Sequence, residues 1–500
     1  MKTIVYLVGA GPGDPGLITQ KALSLISNAD AIVYDYLSNP TLLKNAKASC
    51  SLVNAGKRLG FKAMSQNQIN RKLVSLAKKG IGTVVRLKGG DPLLFGRGGE
   101  EAEYLKKNRI KFEIVPGVTS AIAVPAYAGI PITHRDITST VSIVTGHEDP
   151  LKNKSTIDWP GLAKSKSIVF LMGTKNLKSN IRNLVEHGMS TKTPIAAIQW
   201  GTYARQKTVM GNLENINRKI KIENIKSPSI IVIGEVCKLR NKINWFESKP
   251  LFGKKIVVTR ARKDASNLVN KIFENGGEAI EIPTIEIKPI KSKSILDTIN
   301  KVNDYDWIIF TSVNGVNQFF DNFFSKFDDI RSLGNIKIAA IGSETARNIN
   351  KYGLKVNLIP KKFIAEALVS EFKTRNISGQ NILIPRAKGS REILVDELKN
   401  LGNKIKELKI YESVTPKSHI KKDILSQIIN NNIYGITFTS SSTVHNFFKY
   451  VSPNSLKKEK QVKFFCIGPI TAQTLTDYGF TATKIAKKFT IENLLKEIVN

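Results

Sequence analysis

The second half of the chain contains the same short segments twice. Ile256 to Ala261 (I-V-V-T-R-A) realigns with Ile382 to Ala387 (I-L-I-P-R-A), and Ile341 to Ala346 (I-G-S-E-T-A) with Ile467 to Ala472 (I-G-P-I-T-A), both at an offset of 126 (382 − 256 and 467 − 341). Ile309 to Phe320 realigns with Thr437 to Phe448 at 128 (437 − 309), a two-residue loop difference. Each segment reads as a strand, a turn and the start of a helix. Two copies of one α/β unit require two similar lobes, so this half folds as a pair. F-T-S at a strand end, and I-G-x-x-T-A again, put hydroxyls and helix N–H groups at the mouth of each lobe, an arrangement suited to anions.

The first half has a different signature. Val84 to Glu101 reads V-V-R-L-K-G-G-D-P-L-L-F-G-R-G-G-E-E, a β-branched run that ends in Gly89 and Gly90, turns at Asp91-Pro92 and meets Gly96, Gly98 and Gly99. Glycine lets main-chain groups approach a ligand closely, and open α/β sheets bind ligands at the carboxyl ends of their strands. The competing reading is a surface loop that binds nothing. Gly9 to Gly16 (G-A-G-P-G-D-P-G) follows a first strand and departs from the dinucleotide fingerprint at Asp14-Pro15, where Gly or Ala lets the helix pack. A carboxylate there repels a pyrophosphate, so the loop suits a ligand without phosphates, a cationic one included.

Strand patterns recur at Met1–Val8, Ala31–Tyr34, Ser51–Asn54, Phe112–Val115, Ser167–Leu171, Pro194–Gln199 and Ser229–Ile233, with helical runs at Leu17–Ala29, Gln68–Lys79 and Leu177–Glu186. A second lobe starts near Thr138. Several strands end in small residues, as expected of a cleft between two α/β lobes. Asp35 stands just past a strand end, where its carboxylate either accepts a proton or caps the next turn. Lys57 sits in a similar place. His134 has no partner at metal-ligand spacing, and the three cysteines, Cys50, Cys237 and Cys466, are far apart. No metal site and no disulfide framework is expected.

The formal charge is +35, carried mostly by lysines spread along all 500 residues. A nucleic-acid site would concentrate them, so the expectation is a generally basic surface or, as the alternative, a field that steers a polyanionic small substrate, with no nucleic-acid partner. No apolar run approaches the length of a membrane span, and Met1 to Val8 lacks the pattern of a signal peptide. A soluble, cytoplasmic protein is expected.

Across residues 1–245 the motifs V-G-A-G-P-G-D-P-G-L-I-T, Y-D, G-K-R, V-R-L-K-G-G-D-P-x-x-F-G-R-G-G-E-E, P-G-V-T-S-A, P-A-Y-A-G-I-P-I-T-H-R-D, T-G-H and G-E-V occur in order. Together they strongly resemble uroporphyrinogen-III C-methyltransferase. The resemblance implies an α/β, two-lobed, non-Rossmann methyltransferase fold, with lobes of about 1–136 and 137–245, that binds S-adenosylmethionine in its cleft. Carried over by motif, cofactor contacts fall at Pro12, Gly89, Gly90, Asp91, Leu94, Thr119, Ser120, Met172 and Gly201. The proton acceptor falls at Asp35 and the proton donor at Lys57, which alternatively pairs with a substrate carboxylate. A homodimer formed through this half is also implied.

Residues 246–252 read as a linker. Residues 253–500 resemble uroporphyrinogen-III synthase, which implies a discontinuous lobe of 253–286 plus 415–500 and a second lobe of 289–412. Tyr411 aligns with Ile285 of the other copy, and a residue without an equivalent is harder to explain as scaffold. The resemblance assigns Tyr411 to loss of the bilane hydroxyl; the alternative is packing. Thr311, Ser312, Ser343, Arg386, Ser440, Ser441 and Thr471 are the candidate substrate contacts. The implied function is bifunctional: hydroxymethylbilane is cyclised to uroporphyrinogen III, which is methylated at C2 and C7 to precorrin-2 for sirohaem or cobalamin. The alternatives are one active half with the other as a partner domain, or a basic nucleic-acid- or dinucleotide-binding protein.

Overall fold

The computed structural model describes residues 3–56, 63–146, 155–259, 262–282, 284, 286–362, 364–390, 392–414, 428, 433–457 and 462–500. Two compact units result: Met1–Ile256 with Asn270–Ala279 and Val499, and Val257–Val269 with Ile280–Ile498 and Asn500.

The first unit opens with a parallel sheet of β1 (Ile4–Gly9), β2 (Ala31–Tyr34), β3 (Ser51–Asn54), β4 (Thr83–Lys88) and β5 (Lys111–Val115), in the order β3-β2-β4-β1-β5. Its strand β1 is apolar on both faces, as a strand covered on both sides requires: Val5, Leu7 and Val8 are fully buried. Helix α1 (Gln20–Asn28) starts later than its apolar pattern predicts, because Pro15–Leu17 forms a separate 3₁₀ turn and the Thr19 side chain caps Ala22 N–H. Helix α2 (Gln66–Lys78) starts earlier, at a reciprocal capping box between Ser65 and Gln68. Helices α3 (Gly98–Lys107) and α4 (Ser120–Tyr127) follow β4 and β5.

The next sheet holds β6 (Ser142–Thr145), β7 (Ile168–Leu171), β8 (Pro194–Gln199), β9 (Lys207–Asn212) and β10 (Ser229–Ile233), in the order β6-β7-β10-β8-β9. Only β6 and β7 run parallel; the other pairs are antiparallel. Strand β9 escapes sequence reading because K-T-V-M-G-N has a single buried residue, Val209, as an edge strand permits. One face of this sheet, through Val169, Leu171, Ala196, Ile198, Ile230 and Val232, packs against Ala121, Val124 and Ala128 of the α4 segment. Helix α4 thereby ties the two lobes together. The expected linker is packed as well: Phe246 and Leu251 are buried, and Leu251 N–H donates to Asn275 O.

Two more five-stranded sheets follow, built from β11 (Lys255–Val258), β12 (Glu278–Glu281), β13 (Glu286–Pro289), β14 (Trp307–Phe310), β15 (Lys337–Ala340), β16 (Asn381–Ala387), β17 (Lys404–Val414), β18 (Gly435–Phe438), β19 (Lys463–Cys466) and β20 (Lys484–Ile485). Their orders are β12-β11-β18-β19-β20 and β13-β17-β16-β14-β15. Shifting the second by the repeat offset turns β17-β16-β14-β15 into β12-β11-β18-β19. The match extends to the edge, where the bridge Ala339↔Leu358 corresponds to the pair Phe465↔Lys484, 126 residues on in each case (465 − 339 and 484 − 358). The duplication read in the sequence is therefore a duplication of sheet topology. The alignment of Tyr411 with Ile285 falls on a residue outside the described set; Tyr411 pairs with Pro289 across the antiparallel β13–β17 contact.

Packing is duplicated too. Phe310 and Phe319 meet edge to face at 5.5 Å and 73°, and Phe438 and Phe447, each 128 residues later, at 5.4 Å and 76°. All four rings are fully buried. Phe319→Ala and Phe447→Ala are each expected to destabilise the chain by about 3–5 kcal/mol in urea unfolding, the usual cost of an aromatic cavity. A loss below about 1 kcal/mol at either position contradicts the equivalence.

Candidate functional site

The glycine stretch closes on backbone as well as opening toward a ligand. A Cβ on Gly117 would lie 2.4 Å from Gly90 O and one on Gly9 2.5 Å from Gly117 Cα, so three strand ends interlock at distances no side chain allows. Gly11 and Gly90 bond to each other antiparallel, both at positive φ. Gly96 and Gly98 serve the turn: a Cβ on either would strike Pro92 O. These contacts bring the loops after β1, β4 and β5 together beside the second lobe.

There they line a cavity of ≈ 600 Å³. Pro12, Gly89, Gly90, Asp91, Leu94, Thr119, Ser120, Met172 and Gly201, the nine expected cofactor contacts, all border it. Sequence reading missed Tyr36, Leu37, Phe95, Trp200 and Tyr203, which border it too. Backbone strain gathers here: Phe95, Met172 and Trp200 hold φ of 53°, 55° and 49°, and neighbouring Arg97 and Thr202 hold 60° and 71°. Left-handed backbone at bulky residues is costly and concentrates at functional sites. No sequence signal marks it at Trp200 except the adjacent Gly201. The Arg205 guanidinium lies 3.8 Å over the Trp200 ring, steadying that wall by a cation–π contact. Burial raises the Tyr203 phenol above its ordinary range, so it stays protonated.

Two carboxylates are turned away from the role their sequence position suggests. Asp14, expected to repel phosphate or attract a cation, accepts from Tyr127 OH and Gly16 N–H, while its own N–H donates to Thr202 Oγ1. It does not border the cavity; it fastens the first loop to the second lobe. Asp91 borders the cavity, but Oδ1 accepts from Leu93 and Leu94 N–H and Oδ2 from Gly117 N–H. It holds two loops in register. Capped by three amides, it shapes the cavity through the backbone.

Asp35 lies immediately before Tyr36 and Leu37 of the cavity wall without bordering the cavity itself. Its carboxylate accepts from Arg86 Nη2 at 2.6 Å, and Arg86 is buried. Behind it, Glu101 Oε1 accepts from Arg86 Nε, Lys88 Nζ and Gln66 Nε2 at 3.2, 2.8 and 3.1 Å. Strand parity explains the cluster. Ala31 and Val33 face one way on β2, with Asp35 next in that parity just past its end, as do Val84, Arg86 and Lys88 on β4, toward α2 and α3. Burial pushes the Lys88 ammonium below the usual lysine range, and Arg86 adds to the effect. Lys57 lies outside the described residues. His134 is structural: its backbone pairs with Thr138 and Nδ1 accepts from Asp136 N–H.

In the duplicated half two of the candidate hydroxyls cap their own helices. Ser312 Oγ accepts from Gly315 N–H at the start of Val313–Phe323, and Ser440 does the same for Thr443 N–H at the start of Ser441–Tyr450. Ser441 Oγ accepts from Thr474 Oγ1. Ser343 opens the helix Ser343–Asn350, and Thr471 is buried in the first turn of Pro469–Asp477. Thr311 directly follows β14. Arg386 is buried and donates to Glu407 Oε2 at 3.2 Å. Tyr411, also buried, shares a 2.9 Å hydrogen bond between its phenol and Ser312 Oγ. Of the candidates in this half, the structure joins Tyr411 and Ser312 directly. None of them borders the cavity of ≈ 510 Å³ found beside Lys388, Lys406 and Lys409. Among the described residues no His, Cys, Asp and Glu group of three could hold a metal ion, and no helix is long and apolar enough to cross a membrane.

Comparison with known proteins divides the chain in the same two parts. Residues 4–217 match the family described as Tetrapyrrole (Corrin/Porphyrin) Methylases, and residues 266–496 the family described as Uroporphyrinogen-III synthase HemD. Porphyrin biosynthesis protein HemD of Ruminiclostridium josui is 37% identical over 99% of this chain and 97% of its own. A uroporphyrinogen-III C-methyltransferase of Bacillus subtilis is 43% identical over 71% of this chain and 73% of its own. A uroporphyrin-III C-methyl transferase of Thermus thermophilus, crystallised with S-adenyl homocysteine, is 34% identical and covers 47% of this chain and 99% of its own, with a TM-score of 0.41.

Gly117→Ala puts a methyl group where Gly90 O now sits, and backbone has to move. Thermal unfolding is expected to show a loss of about 1–3 kcal/mol, the range of overpacked cores. Gly99→Ala, where a Cβ meets nothing within 4 Å, is the control and should be neutral.

Proposed function

The chain belongs to the HemD family of porphyrin biosynthesis proteins, with a tetrapyrrole methylase region followed by a uroporphyrinogen-III synthase region, and on that footing we propose how its two halves work. The second half cyclises hydroxymethylbilane to uroporphyrinogen III. The first methylates that product twice, at C2 and C7, to precorrin-2 on the way to sirohaem or cobalamin. The observation that carries the methyltransferase assignment is the convergence of nine motif residues on one cavity.

The cavity suits S-adenosylmethionine. Its size falls within the range of about 300–1,000 Å³ typical of small-ligand sites, its wall is largely apolar, and strand-end backbone supplies the polar groups. Pro12, Gly89, Gly90, Leu94, Thr119, Ser120, Met172 and Gly201 would hold the ligand, with Asp91 keeping the loops of Leu94 and Gly117 in place. When bound, S-adenosylmethionine supplies a methyl group on a positively charged sulfur. The protein holds donor and acceptor in line, which removes much of the entropic barrier. Asp35, partly exposed beside the cavity wall, takes the proton that the methylated macrocycle loses. Lys57 either donates a proton or binds a substrate carboxylate.

In the synthase half, the Tyr411 phenol is set by Ser312 and assists departure of the bilane hydroxyl. Thr311, Ser343, Arg386, Ser440, Ser441 and Thr471 surround the carboxylate arms. The excess of lysine gives polycarboxylate substrates an attractive field. A homodimer through residues 1–245 in the cytoplasm, with no nucleic-acid or membrane partner, completes the reading, supported by the resemblance and by dispersed lysines.

Feeding the purified chain hydroxymethylbilane with and without S-adenosylmethionine tests both halves. Uroporphyrinogen III alone is expected without the methyl donor, and a dimethylated product with it; an unmethylated product in both arms sinks the methyltransferase reading. Asp91→Ala should weaken S-adenosylmethionine binding at least about tenfold by calorimetry, since up to three amides lose their partner. Cyclisation should continue at the wild-type rate. Tyr411→Phe should slow cyclisation alone, and an unchanged rate would assign that tyrosine to packing.

A further inference from the structure

Three charged groups sit inside the first lobe, where the same space could hold apolar side chains. The side chains of Arg86, Lys88 and Glu101 are 2%, 4% and 0% exposed, whereas Asp35 is 31% exposed. Glu101 Oε1 takes three donors, but Oε2 is buried and has no partner among the described residues. Leaving a buried carboxylate oxygen unpartnered is costly, and well-packed apolar replacements of buried ion clusters are often more stable. The cluster is therefore poorly explained as a device for stability.

Its charge count points outward. Two buried cations face one buried anion, so the interior balances only when Asp35, the one exposed member, is ionised. A bonded guanidinium favours a carboxylate over its acid, and Arg86 is bonded to Asp35. Glu101 counters this by drawing on Arg86 from the opposite side, through Nε, while Nη2 reaches Asp35. Lys88 acts against Glu101 through the same oxygen, Oε1.

We propose that Glu101 and Lys88 are positioning residues that set the proton affinity of Asp35 through Arg86, Glu101 raising it and Lys88 lowering it. This rests on the reading of Asp35 as the proton acceptor in methyl transfer. The charged groups that face Asp35 among the described residues are Arg86 and Lys88 from β4 and, behind them, Glu101 from α3. From α2 come Gln66 and Asn70, which are uncharged and bonded to each other, Gln66 also to Glu101. Among the described residues no other element contributes a charge to the cluster. Arg86 cannot titrate in the working range, so the two outer groups are the adjustable ones.

Opposite substitutions should therefore move the reaction in opposite directions. Glu101→Gln keeps the shape and the acceptor oxygen but removes the negative charge; Arg86 then favours ionised Asp35 more strongly, and its proton affinity falls. The acid limb of the methylation rate against pH should move down by about one unit, as expected for one charge at this range, with a lower plateau from the weaker base. Lys88→Gln removes a positive charge, and the acid limb should move up by about one unit. S-adenosylmethionine affinity and the cyclisation rate of the full-length chain should stay within about twofold in both, because neither residue borders the cavity.

The experiment is the pH profile of kcat for methylation in the full-length chain, for wild type, Glu101→Gln, Lys88→Gln and Asp35→Asn. Shifts of opposite sign support the proposal. Shifts of the same sign, or a uniform loss at every pH with no shift, overturn it and leave a structural role. If Glu101→Gln does not fold, Lys88→Gln decides alone: an upward shift supports, and an unmoved or downward limb overturns. Asp35→Asn is expected to lose more than about 100-fold in kcat while still binding S-adenosylmethionine, the range typical of a lost general base. An active Asp35→Asn removes the base assignment and the proposal with it, whereas an inactive one with unmoved profiles elsewhere removes the proposal alone.

Discussion

The backbone-to-backbone contact of Gly9, Gly90 and Gly117 is the constraint on which the first half depends. Three strand ends from one parallel sheet approach until no Cβ fits between them, and the loops that leave these strands have nowhere to go except toward the second lobe. Asp91 and Asp14 then fix what the glycines permit. One carboxylate gathers three amides of two loops, and the other ties the first loop to Tyr127. The cavity wall is therefore rigid before any ligand arrives, and its strained residues, Met172 and Trp200 among them, are held by packing around them. A reaction that consists mainly of aligning two molecules gains most from such a wall.

Polar groups are divided between two layers. Those bordering the cavity are mostly main chain, hydroxyl and aromatic, with Asp91 and Lys175 beside them, while Arg86, Lys88 and Glu101 lie one layer back, beneath Asp35. That arrangement keeps the ligand space uncrowded and lets the interior field act on one exposed carboxylate. The duplicated half follows another plan. Its strand-end serines satisfy helix termini first, and one direct link between candidates is a buried phenol bonded to such a cap. A residue that is both scaffold and site is shielded from sequence-based sorting, because capping and ligand contact call for the same side chain.

The stretch that follows the first half is held by it more closely than its composition suggests. Glu247 accepts from Arg240, Gln206 and Thr208, and Gln206 also accepts from Thr202 N–H, next to Gly201 of the cavity wall. Trp245 meets Tyr127 edge to face and Phe246 meets it at a tilt, and the Tyr127 hydroxyl reaches Asp14. A stretch that reads as a spacer, W-F-E-S-K-P, is built into the lobe that precedes it, because its aromatic residues meet Tyr127, more than a hundred positions upstream.

The sequence by itself determined a good deal. Repeats at a fixed offset dictated two lobes of one topology, alternating and continuous apolar runs placed most strands, and ordered motifs named nine residues that meet in one cavity. These are local or periodic features, legible because a strand or a helix is specified by neighbours a few residues apart. The tertiary structure alone decided where carboxylates point and what surrounds them. Asp14 is answered by Tyr127, 113 residues away, and Asp35 by Arg86, 51 residues away. Edge strand β9, the left-handed backbone at Trp200 and the charges under Asp35 leave no periodic trace, since each depends on what the fold packs against it. Chemistry at a given position is set by those distant neighbours, and a one-dimensional string does not carry the distances.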